Sequence, residues 1–205
     1  MASPTPATPT TATAANPALV ESTELSPEAL TTVQAIGVVV AGAATIAQTL
    51  AQILSTINVS REIAIAVNNY TGNDLINPKY YIESGKLVNT ALTIPAGKAN
   101  FISGSRTSGA ARGTVAVVSY ELQNTNYRLA IYWSVPFGYA AHDNVLYLRM
   151  MDKDTDTDEK LYDKMNDKAV KASLGTFTNQ DSGYVLQGVM GTGGQATLNI
   201  SIKSA

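Results

Sequence analysis

Cysteine is absent from the 205 residues, which excludes disulfides, thiolate nucleophiles and zinc fingers at once. Histidine is nearly absent: His142 stands alone, so a histidine-based metal centre lacks its ligands. Charge is scarce as well. Only 15% of residues are charged and the net balance is −2, without the Lys/Arg excess that a general nucleic-acid binder turns toward phosphates. Residues 1–20 carry neither a basic block nor an apolar one and do not read as a secretory signal. The Thr/Ala/Pro composition predicts a disordered leader over residues 1–25, and the remainder is long enough for one domain with an ample core.

The longest gap in the charge pattern runs from Ala29 to Ser60, where no Asp, Glu, Lys, Arg or His occurs. Ser26 offers an N-cap, Pro27 suits the first helical position, and Glu28 favours the positive end of the macrodipole. Leu30, Val33, Ile36, Val40, Ala43, Ala47, Leu50, Leu54 and Ile57 keep helical spacing. Thr45, Gln48, Thr49, Gln52, Ser55 and Thr56 form a narrow, uncharged polar stripe on another face. A helix from Pro27 to Ile57 would be about 46 Å long, enough to pass a hydrocarbon core of roughly 30 Å. Its Ala/Gly content, with Gln48 and Gln52 in the middle, weakens insertion relative to a Leu-rich anchor. Two readings of residues 26–60 therefore stand: a helix docked on a soluble domain, or a segment that enters a membrane conditionally.

From Arg61 the hydrophobic period changes from 3.6 to 2. Short runs with Gly, Pro, Asn and Ser between them predict strands over 61–67, 79–83, 91–94, 99–102, 114–122, 127–135, 145–150, 184–190 and 196–202. A second helix is predicted near Asp158 to Val170, capped by Thr157 or Asp158, with Leu161, Met165 and Val170 on one face. The expected fold is mainly β: over residues 61–205 a compact β-sandwich of about ten strands, flanked by two α-helices of which one is N-terminal.

Several constellations bear on chemistry. Asp152, Asp154, Asp156 and Asp158 alternate like the start of a calcium loop, but Thr157 occupies the glycine position and the final Glu is missing, so the run reads as a solvated acidic loop. His142-Asp143 has no strand–elbow–helix serine to complete a hydrolase triad, and no catalytic residue, metal or cofactor is assigned. The stretch Gly104 to Gly113 carries Arg106 and Arg112 and is either a plain β–β loop or a nest for an anion such as a lipid phosphate. Tyr132-Trp133-Ser134-Val135-Pro136-Phe137-Gly138-Tyr139 ends an apolar strand in an aromatic turn. Its rings either meet a membrane interface or a choline or sugar, or close one end of the sandwich.

The order of these pieces resembles the actinoporins, the pore-forming cytolysins of sea anemones, over roughly Val33 to Ala205. The resemblance is carried by the apolar helix leading into Arg61-Glu62-Ile63-Ala64-Ile65-Ala66-Val67, by Tyr81-Ile82-Glu83-Ser84-Gly85, Arg112-Gly113-Thr114-Val115 and Trp133 to Tyr139, and by Gly188-Val189-Met190 with Gly194-Gln195-Ala196-Thr197. It implies a protein secreted or released as a soluble monomer that binds sphingomyelin-containing membranes, inserts its N-terminal helix and self-associates into a homo-oligomeric, ion-conducting, hemolytic pore. It further implies a phosphocholine pocket at Ser84, Val115, Ser134, Pro136 and Tyr162, membrane-interface contacts at Phe137, Tyr139, Arg106 and Arg112, and a pore lined by Thr45, Gln48, Thr49, Gln52, Ser55 and Thr56.

The chain departs from that pattern in places. Glu83 stands where the family usually has an arginine, no tryptophan follows Tyr139, and Asn166 and Asp167 replace a tyrosine pair. The acidic residues from Asp152 to Asp167 should be repelled by an anionic leaflet at about 1 kcal/mol per charge near the surface. A non-lytic lipid- or glycan-binding module, lectin-like, on the same sandwich is the alternative. The uncharged helix favours the pore former.

Overall fold

In a computed structural model, the structure describes residues 43–57, 59–109, 111–138 and 142–205. The leader expected over residues 1–25, the helix start at Ser26 and Tyr139 lie outside the described residues. The first described element is a helix, α1 (Ala43–Ile57). Eleven strands follow: β1 (Glu62–Asn69), β2 (Leu75–Ser84), β3 (Lys86–Asn89), β4 (Lys98–Ser105), β5 (Thr114–Leu122), β6 (Tyr127–Val135), β7 (Val145–Asp152), β8 (Val170–Lys171), β9 (Phe177–Asp181), β10 (Tyr184–Met190) and β11 (Gln195–Ser204). A short helix, α2 (Glu159–Asn166), separates β7 from β8.

The strands make two sheets, ordered β3-β4-β1-β11-β10-β9 and β2-β5-β6-β7-β8. All pairings are antiparallel except β1 with β11. Between the sheets lies one core holding Ile63, Ile65, Val67, Val118, Tyr120, Ile131, Trp133, Leu148, Leu198 and Ile200. The alternation of a strand sends successive side chains to opposite faces, so β1 gives Ile63, Ile65 and Val67 to this core and Ala64 and Ala66 to the outside. There α1 covers them: Ile46, Leu50, Ile53 and Leu54 pack on Ala64, Ala66 and Phe101 as a cluster of their own. With both faces covered, every residue of β1 is buried.

The helix α2 covers the outer face of the other sheet in the same manner. Leu161 and Met165 pack on Val117, Ala130, Tyr132 and Met151. Asp158 is its cap, its carboxylate accepting the Leu161 N–H at 3.0 Å.

Four expectations need correction. The run 91–94 makes no strand: Leu75 and Ile94 form a single bridge, and the Ala91 carbonyl accepts the buried Tyr120 hydroxyl at 2.9 Å instead of joining a ladder. The short edge strands β3, β8 and β9 are additional to those read from the period, because at four, two and five residues each is too short to show a period of its own. The second helix stops at Asn166, and Val170 belongs to β8. Thr49 is buried against the sandwich, apart from the exposed Thr45, Gln48, Gln52, Ser55 and Thr56.

Candidate functional site

One end of the sandwich gathers most of the candidate residues. The β2–β3 connection crosses between the sheets at Gly85, where φ is +86° and an added Cβ would lie 2.5 Å from the Ser105 carbonyl oxygen, so only glycine fits. Ser84 thereby arrives opposite Val115 of β5, and Val115 is in turn opposite Ser134 of β6. The Ser84 hydroxyl donates to the Gly113 carbonyl at 3.0 Å. Pro136 leaves β6 one residue past its end. Three strands thus bring Ser84, Val115 and Ser134 into one row, with Pro136 at its rim.

The next row holds Tyr81, Val117, Tyr132 and Tyr147 in register. Over it stands Tyr162 of α2, its ring centroid 5.6 Å from that of Tyr81 and 5.9 Å from that of Tyr132. Tyr132 donates its hydroxyl to Asn166 Oδ1 at 2.7 Å, and Tyr81 donates to Glu83 Oε2 at 3.1 Å. Burial, followed by the hydrogen bond to Glu83 and its charge, pushes the Tyr81 phenol up to about 12. Tyr162 is raised by burial and then by the charges of Glu83 and Asp163, and Tyr132 by burial above all. All three phenols stay neutral at physiological pH. A cluster of rings beside the Glu83 carboxylate is chemically suited to a quaternary ammonium, by cation–π attraction and by charge. Sequence reasoning raises Tyr132 only as one ring of the aromatic run and does not assign Tyr81 to the site; their period-2 placement two residues from Glu83 and from Ser134 is the signal that points to them.

The aromatic turn resolves into separate roles. Trp133 is fully buried in the main core, its Nε1–H donating to Thr114 Oγ1 at 3.3 Å, while Phe137 is 42% exposed. Arg106 places its guanidinium 5.9 Å from the Phe137 ring centroid. Arg112 is exposed on the neighbouring loop. The acidic loop is used locally: Asp158 caps α2 and Asp156 lies 3.9 Å from the Lys79 ammonium. Among the described residues no three His, Asp or Glu side chains converge as a metal site.

Residues 34–204 match the family described as sea anemone cytotoxic protein. The chain belongs to this family, the actinoporins. Its relatives reach beyond anemones. Bryoporin of Physcomitrium patens is 30% identical over 153 residues, 72% of this chain and 86% of its own. DELTA-alicitoxin-Pse1b of Phyllodiscus semoni is 32% identical over 177 residues, 82% of this chain and 77% of its own. Among solved structures, the lipid-binding protein Nakanori superposes with a TM-score of 0.65, covering 79% of this chain and 80% of its own at 14% identity, which bears on the fold. An actinoporin-family chain is a member of a family of pore-forming cytotoxic proteins, and that family is not enzymatic. No helix among the described residues is long and apolar enough to cross a membrane. The 15 residues of α1 span about 22 Å.

Proposed function

We propose that this chain is a cytolysin that meets a sphingomyelin-containing membrane as a soluble, secreted or released monomer, assembles with copies of itself and inserts its N-terminal helix to form a pore. The observation that supports this reading is the separateness of α1. Its apolar face packs in a cluster distinct from the inter-sheet core, so the helix can leave without opening that core. Departure uncovers Ile46, Leu50, Ile53 and Leu54, a loss of about 6–12 kcal/mol of apolar burial that a bilayer can restore.

The polar stripe suits the same journey. Thr49 and Thr56 donate their hydroxyls to the carbonyls of Thr45 and Gln52, and Ser55 donates to Gln52 as well, so these groups carry their partners with them. Thr45, Gln48, Gln52, Ser55 and Thr56 would then line an uncharged lumen for ion transport. Phosphocholine would lie against Ser84, Val115, Ser134, Pro136 and Tyr162, joined by Tyr81 and Tyr132, with Phe137, Tyr139, Arg106 and Arg112 at the interface.

Dye release from phosphatidylcholine vesicles with and without sphingomyelin tests this reading. Release that requires sphingomyelin, and that falls roughly 2- to 30-fold in apparent affinity in Tyr162→Ala, is the expected result. Vesicle binding without release from any composition would instead support the lectin-like, non-lytic module.

A further inference from the structure

The segment between α1 and β1 is tied to the turn that presents Phe137. Arg61, the last residue before β1, donates Nε–H and Nη2–H to the Phe137 carbonyl at 2.9 and 2.7 Å, across 76 residues of sequence. Its guanidinium carbon stands 5.6 Å from the Phe137 ring centroid, and its Nη1–H reaches back to the Ser60 carbonyl at 2.6 Å. The same short connector is gripped from two more sides. The Arg106 N–H donates to the Arg61 carbonyl at 2.9 Å, and the Glu62 carboxylate accepts the Val59 N–H at 3.1 Å. At Gly194 an added Cβ would lie 2.6 Å from both Arg61 Nη1 and the Ser60 oxygen, so the space this arginine occupies exists because position 194 has no side chain.

We propose that Arg61 is the positioning residue of the Phe137 turn: its two-pronged grip on the Phe137 carbonyl holds the ring outward and fastens the turn to the point where the helix leaves the sandwich. The inference rests on the reading of Phe137 as a membrane contact. A planar fork with two parallel N–H donors suits this task, whereas the ammonium of lysine keeps the charge but lacks the fork. The link also has a mechanical consequence. A ring drawn into a lipid interface pulls on the carbonyl that Arg61 holds, and Arg61 transmits the displacement to Ser60 and Val59 at the foot of α1.

The test uses the full chain and vesicles of equimolar sphingomyelin and phosphatidylcholine, with bound protein measured by sedimentation and lysis by dye release. Four variants are compared: Arg61→Lys, Arg61→Ala, Phe137→Ala and the Arg61→Ala/Phe137→Ala double. The near-ultraviolet dichroism of the buried Trp133 reports that each core is intact. Arg61→Lys and Arg61→Ala should both lose roughly tenfold in binding, the double variant should bind no worse than Phe137→Ala, and lysis per bound molecule should fall in the Arg61 variants and in Phe137→Ala alike, since either change breaks the link between ring and helix. Gly194→Ala, which displaces the guanidinium without deleting it, should behave as Arg61→Ala does. Wild-type behaviour of Arg61→Lys, or losses that add in the double variant, would overturn the proposal by reducing Arg61 to a charge acting independently of Phe137. Unchanged binding of Phe137→Ala would instead remove the membrane contact itself, and the positioning role would fall with it.

Discussion

Leu50→Ala isolates the helix as an energetic unit. Leu50 is 3% exposed and sits in the cluster formed by α1 with Ala64, Ala66 and Phe101, outside the inter-sheet core. A buried Leu→Ala change costs about 2–5 kcal/mol, and the cost falls where the surroundings can close over the gap. Here one wall is a surface helix resting on alanines, free to settle toward the sheet, so the lower part of that range applies, about 2–3 kcal/mol. That corresponds to roughly a 30- to 150-fold rise in the population of the undocked helix. Native-state hydrogen exchange reads it directly. Amides of Ala47 to Ile57 should lose protection by this factor, while those of β5 and β6 keep theirs. An equal loss across β5 and β6 would show that the helix is part of the main cooperative unit, and the argument for its independent release would fail.

Two further outcomes follow from the geometry. Glu62 is fully buried between Val59 and Gln195, and burial raises its carboxyl above the ordinary 4.5 despite the two hydrogen bonds it accepts. The native state therefore holds this proton more tightly than the unfolded chain does, so the contribution is greatest below about 4.5 and is lost as pH rises through the folded value. Urea unfolding as a function of pH should show that decline in the wild type and a flatter profile in Glu62→Gln; identical slopes would refute the assignment. At Gly113 a Cβ would collide with the Val135 carbonyl group where β5 meets β6, so Gly113→Ala should cost at least about 1–3 kcal/mol in denaturant unfolding. A change below about 0.5 kcal/mol would mean that this end of the sandwich yields easily.

Several features follow from local sequence because their physics is local. The runs at 114–122, 127–135 and 184–190 coincide with β5, β6 and β10: β10 alternates buried and exposed residues, while β5 and β6 are near-continuous apolar runs covered on both faces, and either pattern is written into consecutive residues. Asp158 reads as a cap because its carboxylate needs only the N–H three residues on. The β9–β10 hairpin carries a trace that hydrophobic period does not register: Ser182 and Gly183 have φ of +53° and +81°, the two-residue turn that a Ser-Gly pair between strands announces. The edge strands β3 and β8 leave none, because four and two residues are too few to show a period.

Spacing also determined which residues share a helix face, and hence that α1 has an apolar side and an uncharged polar one. It did not determine what lies opposite. Strand pairing is settled by long-range contacts whose partners are far apart in the chain, so only the tertiary structure placed Ser84, Val115 and Ser134 in one row and set Tyr162 over Tyr81 and Tyr132. The same holds for Trp133 and Phe137, neighbours in an aromatic run: one fills the core and the other faces solvent, because β6 ends between them. The grip of Arg61 on Phe137 joins residues that no period relates, and it exists because β1 begins at the end of the sandwich where β6 stops.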